Sequence, residues 1–150
     1  MLPKDLFAHW KEVRKDLVAT VEAFEESELA FAPFEGCWSV GQILLHIADA
    51  EDGWLRYCVT KELEKWPDFY TLVNFPDKSS ILQALEEVHA RTTAYIAGLD
   101  ETTIEAIVAT PAGDEIPLLW ILWHVIEHEI HHRGELTLIL GMLGKEGKIL

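Results

Sequence analysis

An all-α protein is predicted, a four-helix bundle with a long crossover between its second and third helices, and three features of the sequence carry that prediction. Four segments repeat apolar residues at spacings of three and four, the period of a helix that lays one stripe against a core. Residues 59 to about 78, between the second and third segments, hold two prolines and no sustained period. Such a connection is longer than usual and suits a bundle whose second and third helices run parallel. Only one short run, Ile104, Ala106 and Val108, alternates as a strand does.

The first helix is expected over about residues 4 to 27, where Leu6, Trp10, Val13, Leu17, Val21 and Phe24 form the stripe, before Pro33 and Gly36 break the pattern. Ser39 and Gln42 have the spacing of a capping box and open the second helix, whose stripe is Ile43, Ile47, Ala50, Trp54 and Tyr57 and which carries His46. The third helix is expected to begin near Ser79, with Ser80 and Gln83 repeating the capping pattern, and to run through Leu85, Val88, Thr92 and Tyr95 towards Gly98. Before the fourth helix, the alternating run and the Pro-Ala-Gly-Asp turn after it permit a short hairpin. The fourth helix is expected from about Pro117 to about Leu143, with Gly144 as its stop. No repeat or second domain is visible, so residues 1–150 are read as one domain, a length that buries about two-thirds of the unfolded chain's surface.

Twenty-six Asp and Glu against twelve Lys and Arg give a formal charge of -14, which repels a nucleic-acid backbone or an anionic membrane. The N-terminal stretch alternates charged and apolar residues, unlike a signal peptide, and no run approaches the roughly 18 to 20 apolar residues of a membrane span. Cys37 and Cys58 form neither a disulfide framework nor a Cys-x-x-Cys pair. A cytoplasmic protein with reduced thiols is expected, and neither cysteine is placed in the site.

Residues 127–135, "EHEIHHRGE", concentrate histidine and glutamate. At about 100° per residue, with His128 at zero, His132 falls near 40°, His124 near -40° and His131 near -60°, in the sector of Ile121, Val125, Leu136 and Ile139. Imidazoles in an apolar sector need partners, because an unpaired buried polar group costs a few kcal/mol. A metal ion meets that need, and histidines one turn apart can grip one ion. His46, on the margin of the second helix's stripe, can supply a third ligand and leave a coordination position open, as catalytic sites do. His9 and His89 are read as hydrogen-bonded boundary residues without a role.

From His128 the chain also matches His-Glu-x-x-His, the zinc-protease spacing. The longer form of that motif wants Gly and His where this chain has Glu135 and Leu138, and only Glu135 and Glu146 could act as a downstream carboxylate ligand. Glu129 lies about 100° from His128, away from the centre of the histidine sector. The match is read as coincidence.

The stretches "LWHVIEHEIHHRGELTLILGMLG" and "WSVGQILLHIADAE" resemble the DinB/YfiT-like family of helical-bundle metalloproteins, over nearly the whole chain and most specifically in His128, His132, Arg133 and Gly134. That resemblance implies His46, His128 and His132 as the metal triad. A divalent ion, zinc or nickel, is expected in such an imidazole site, and the resemblance implies a transferase of a low-molecular-weight thiol such as bacillithiol or mycothiol acting on a small-molecule substrate. A metal-dependent hydrolase with the same triad and a non-catalytic metal-binding protein remain the alternatives. His124, His131, Glu129, Arg133 and Glu135 are the candidates to support the ligands. The family usually has Gln at the position of Glu135, whose carboxylate could orient a ligand or, as favoured, be solvated. Leu119, Trp123, Ile126 and Ile130 make the opposite face of the fourth helix apolar, and with the dimers common in the family they lead to the expectation of a homodimer.

Overall fold

The computed structural model describes residues 1–145. Four long helices form the bundle: α2 (Trp10–Ala23), α3 (Val40–Asp52), α4 (Lys78–Ala97) and α5 (Leu118–Met142). Helix α3 packs on both α4 and α5, and α2 on α5 and α4. No helix among the described residues is long and apolar enough to cross a membrane.

The first helix differs from expectation. A four-residue helix α1 (Pro3–Leu6) ends at Phe7, and α2 starts only at Trp10 and stops at Ala23. The break serves Phe7, which lies one residue off the stripe. There it is 5 % exposed, and its ring sits 5.3 Å from that of Trp123. Beyond Phe24 the backbone is extended and then makes a 3-10 turn over Glu26–Ala30.

Helix α3 begins with the predicted capping box, Ser39 Oγ accepting from the Gln42 amide at 3.3 Å and Gln42 Oε1 from the Ser39 amide at 2.9 Å. It continues as a π-helical segment, Gly53–Val59, that buries Leu55 and Cys58 and leaves Trp54 half-buried. Gly53 is required there, because a Cβ would meet the Trp66 indole at 2.5 Å. The crossover is irregular but anchored: Tyr70, Leu72 and Phe75 pack on the core, and the Tyr70 hydroxyl donates to Asp52 at 2.8 Å.

The cap of α4 is Asp77, not Ser80. Asp77 Oδ1 accepts from the Ser80 amide at 2.7 Å while Ser80 Oγ accepts from the Asp77 amide at 3.2 Å. Gln83 donates instead to Glu87, one turn on. The hairpin is present as β1 (Ile107–Ala109) and β2 (Glu115–Pro117), antiparallel with Val108 opposite Ile116; Ile104 belongs to a preceding 3-10 turn. Pro117 is the extended residue before α5, and Gly144, at φ 74°, follows its end.

The apolar interior has two parts. One gathers Leu17, Val21, Leu44, Leu85 and Leu136, the other Phe7, Trp10, Leu118, Leu122 and Ile126. Between these residues on α2 and α5 stand three buried charges: Arg14, 7 % exposed, and Glu51 and Glu129, each 1 % exposed. The Arg14 guanidinium donates from Nε and Nη2 to Glu129 at 3.1 and 2.8 Å, from Nη1 to the Leu85 carbonyl at 3.1 Å, and from Nη2 to Glu51. Trp10 Nε1 donates to Glu129 at 3.0 Å, and His89 Nδ1 to Glu51 at 3.0 Å. Burial works against these charges, yet Arg14 and His89 hold the Glu51 carboxyl below its ordinary range, and the two carboxylates hold Arg14 above its own.

Candidate metal centre

Helix α3 presents His46 and α5 presents His128 and His132, and the three imidazoles converge. His128 Nε2 lies 3.0 Å from His46 Nε2 and 3.1 Å from His132 Nε2. The outward nitrogens have carboxylate partners three residues along the same helices: His46 Nδ1 reaches Asp49 at 3.1 Å and His132 Nδ1 reaches Glu135 at 2.7 Å. A carboxylate only accepts, so both Nδ1 atoms carry their hydrogens and both partner Nε2 atoms present lone pairs inward. His128 Nε2 can offer a hydrogen to one of them at most. At least one close nitrogen pair therefore leaves an inward lone pair without a hydrogen to accept, which a bound cation relieves.

The donor set fits a divalent ion. Zinc–imidazole bonds of about 2.0–2.1 Å around a tetrahedral centre set ligand nitrogens roughly 3.3 Å apart. That is a few tenths of an ångström more than the separations here. Imidazole suits zinc and nickel alike, and three ligands leave a position open.

Three neighbours of the triad, Asp49, Trp66 and Trp38, were not foreseen from the sequence. Asp49 orients His46, and the only signal was its spacing, which equals that of His132 and Glu135. The Trp66 indole, held over Gly53, donates to Asp49 at 3.2 Å and so ties the crossover to the site. Trp38 stands edge-on to His46 with ring centroids 4.6 Å apart, and 6.4 Å from His132. On the other side His124 stacks on Trp120 at 4.7 Å, 6.5 Å from His128, and meets Trp54 at 5.4 Å.

The remaining predicted supports divide. Glu135, favoured from the sequence as solvated, bridges His132 and His131, the latter at 3.2 Å. Glu129 is turned away from the histidines into the Arg14 pair, because the residue after His128 on a helix faces about 100° round. Arg133 reaches the Val13 carbonyl and Asp16 on α2, at 3.4 and 3.3 Å, not the ligands. The protease reading fails on the same geometry, since Glu129 is the residue that motif needs beside the ion; Glu146 lies outside the described residues.

Burial, and then the imidazoles of His132 and His46, push His128 down from 6.5 to about 3. Burial also lowers His132, against the opposing pull of Glu135. Both titrate near 6.5 in the unfolded chain, so on acidification the unfolded state takes up protons first. The metal-free protein is expected to lose stability as pH falls below about 6.5, the loss continuing towards pH 3. Thermal melts of the parent and His128→Gln across that window check this: the parent should show the steeper fall, and equal slopes would refute the assignment.

The model of the DinB superfamily matches residues 9–136. No curated protein matches the chain. Among solved structures it is similar to a DinB-like protein from Bacillus cereus, with a TM-score of 0.77 at 18 % identity over 96 % of this chain and 94 % of that one. It is also similar to YfiT from Bacillus subtilis, described as a probable metal-dependent hydrolase with an unusual four-helix bundle topology, with a TM-score of 0.66 at 24 % identity over 93 % and 87 %. A mycothiol-dependent maleylpyruvate isomerase gives a TM-score of 0.65 at 15 % identity, over 91 % of this chain and 61 % of that one.

Proposed function

The chain belongs to the DinB superfamily, and we propose that within it this protein is a divalent-metal-dependent enzyme that transfers a low-molecular-weight thiol, of the bacillithiol or mycothiol type, to an electrophile. His46, His128 and His132 would hold the ion, zinc or nickel, through their Nε2 atoms. A bound divalent ion supplies Lewis acidity, lowering the pKa of a thiol at its open position. Asp49 and Glu135 keep the Nδ1 hydrogens of two ligands in place and fix their ring orientation. Trp38 flanks the triad on one side, its ring edge-on to His46.

One observation favours a thiol over water as nucleophile. Metal-centred hydrolysis is served by a free carboxylate that takes a proton from water and passes it to the leaving group, and each carboxylate near the triad is already engaged: Asp49 by His46 and Trp66, Glu135 by His132 and His131, Glu129 by Arg14 and Trp10. A thiol held at the ion would carry one proton, give it to solvent, and add to an electrophile without a carboxylate to shuttle it. The reading keeps the protein in the cytoplasm, with both cysteines free. Trp123 and Ile130, 41 % and 42 % exposed on α5, support pairing with a second copy.

The test is parallel thiol-transfer and ester-hydrolysis assays on zinc-loaded, nickel-loaded and chelator-treated protein. Chelator-sensitive transfer is expected, with hydrolysis at background. Chelator-sensitive hydrolysis without added thiol would replace this reading with the hydrolase one.

A further inference from the structure

Two cavities adjoin the triad, and Trp38 is the wall they share. On the His46 side a space of about 210 Å³ brings the hydrogen-bonding groups of Gln42, Asp49, Tyr70 and Thr71 beside Leu45 and Leu72. On the His132 side a groove of about 440 Å³ runs between the loop before α3 and the last turns of α5. Its walls include Phe34, Ile43, Leu138, Ile139 and Met142, with His132 and Glu135 at one edge. Among the described residues, neither cavity is lined by a lysine or arginine.

We propose that the groove beside His132 binds the apolar body of an uncharged substrate, whose reacting end is thereby brought to the triad. The proposal rests on the metal-centred reading above and names the substrate class of that site. Three observations carry it. The groove has the size of a small-molecule pocket. It ends on a triad imidazole instead of continuing over plain surface. Its charge disfavours the obvious alternative, since among the described residues its walls carry the Glu135 carboxylate and no lysine or arginine, in a chain of formal charge -14. A carboxylate or phosphate placed along these walls, away from the triad, would lose water and gain no cation there. Trp38 also divides a mixed space rich in hydrogen-bonding groups beside His46 from the apolar groove beside His132, which gives two different molecules separate approaches to the triad.

The test compares 3-phenylpropan-1-ol with 3-phenylpropanoate, two probes of the same body that differ in charge, by titration against chelator-treated protein, where metal coordination cannot favour the carboxylate. Leu138→Gln and Met142→Gln are suitable variants because these side chains are 68 % and 53 % exposed and hold no core together; Val73→Gln, 90 % exposed on the crossover, is the control. The alcohol is expected to bind at least about tenfold more tightly than the carboxylate. It should weaken about fivefold in each groove variant and be unchanged in the control. Nickel affinity, measured separately, should stay within about twofold in all three. Equal affinity for the two probes, or alcohol binding indifferent to the groove variants, would overturn the proposal even where nickel binds normally. So would light scattering that shows a dimer lost in Leu138→Gln with alcohol binding unaltered, which gives the groove to a second copy of the chain. Failure of nickel to bind, with the probes behaving as expected, refutes the metal reading and leaves the groove as an apolar ligand site.

Discussion

His46→Ala is expected to lose about 100- to 1000-fold in affinity for zinc or nickel while remaining helical. The magnitude is carried over from structural zinc sites, where roughly 10–16 kcal/mol of binding shared among four protein ligands gives about 2.5–4 kcal/mol for each. The retained fold follows from position: the His46 side chain is 28 % exposed at the margin of α3, outside both apolar clusters. His46 is also the informative choice, because it alone comes from α3 and is separated by 82 residues from His128. Competition titration against a chromophoric chelator, with circular dichroism on the same samples, measures both quantities. Unchanged affinity in the helical variant would leave α5 alone to account for any bound ion and would remove the three-histidine centre.

Arg14→Met is expected to destabilise the protein by about 3–5 kcal/mol, the cost of leaving buried carboxylates without their cation. For a chain of this length that is roughly 6–20 °C in Tm. Glu51 and Glu129 would face each other at 1 % exposure with only neutral donors and His89 beside them. Protonation of Glu51 then becomes favourable, which raises its folded-state pKa above its unfolded value. A raised carboxyl pKa adds stability below that pKa, so the deficit of the variant should shrink as pH is lowered from 7 to 5. In the parent the sign is opposite, since Arg14 and His89 hold Glu51 low. Replacing the whole group, Arg14→Met with Glu51→Leu and Glu129→Leu, should recover most of the loss. A melting temperature of Arg14→Met within about 2 °C of the parent would show that the pair contributes little.

The triad was legible because α5 is regular. A constant angle per residue is enough to bring His128 and His132 into one sector and to send Glu129 out of it, and the capping box fixed where α3 begins. What stayed hidden depends on partners from other helices. Arg14 stands between Val13 and Leu17 and reads as surface, because nothing in α2 announces a carboxylate from α3 and another from α5 waiting in the core. Asp49 and Glu135 could be found by spacing, but whether a side chain turns to its imidazole or to water is a matter of rotamer. The division of the first helix left no mark either, since neither α1 nor α2 begins with a side-chain cap.

The π-helical segment at Gly53–Val59 is a slip in helical phase. A ring closed on the fifth residue takes about one residue more per turn, so each step advances by roughly 80° instead of 100°. At 100° per residue Trp54 would return almost to the azimuth of Ile47, which is 2 % exposed in the core. The lag lets Leu55 take the buried position instead and turns the Trp54 indole to the side where Trp66, Trp120 and His124 meet it. One surplus residue in a single turn thus moves an aromatic ring from the interior of the bundle to the wall beside the histidines.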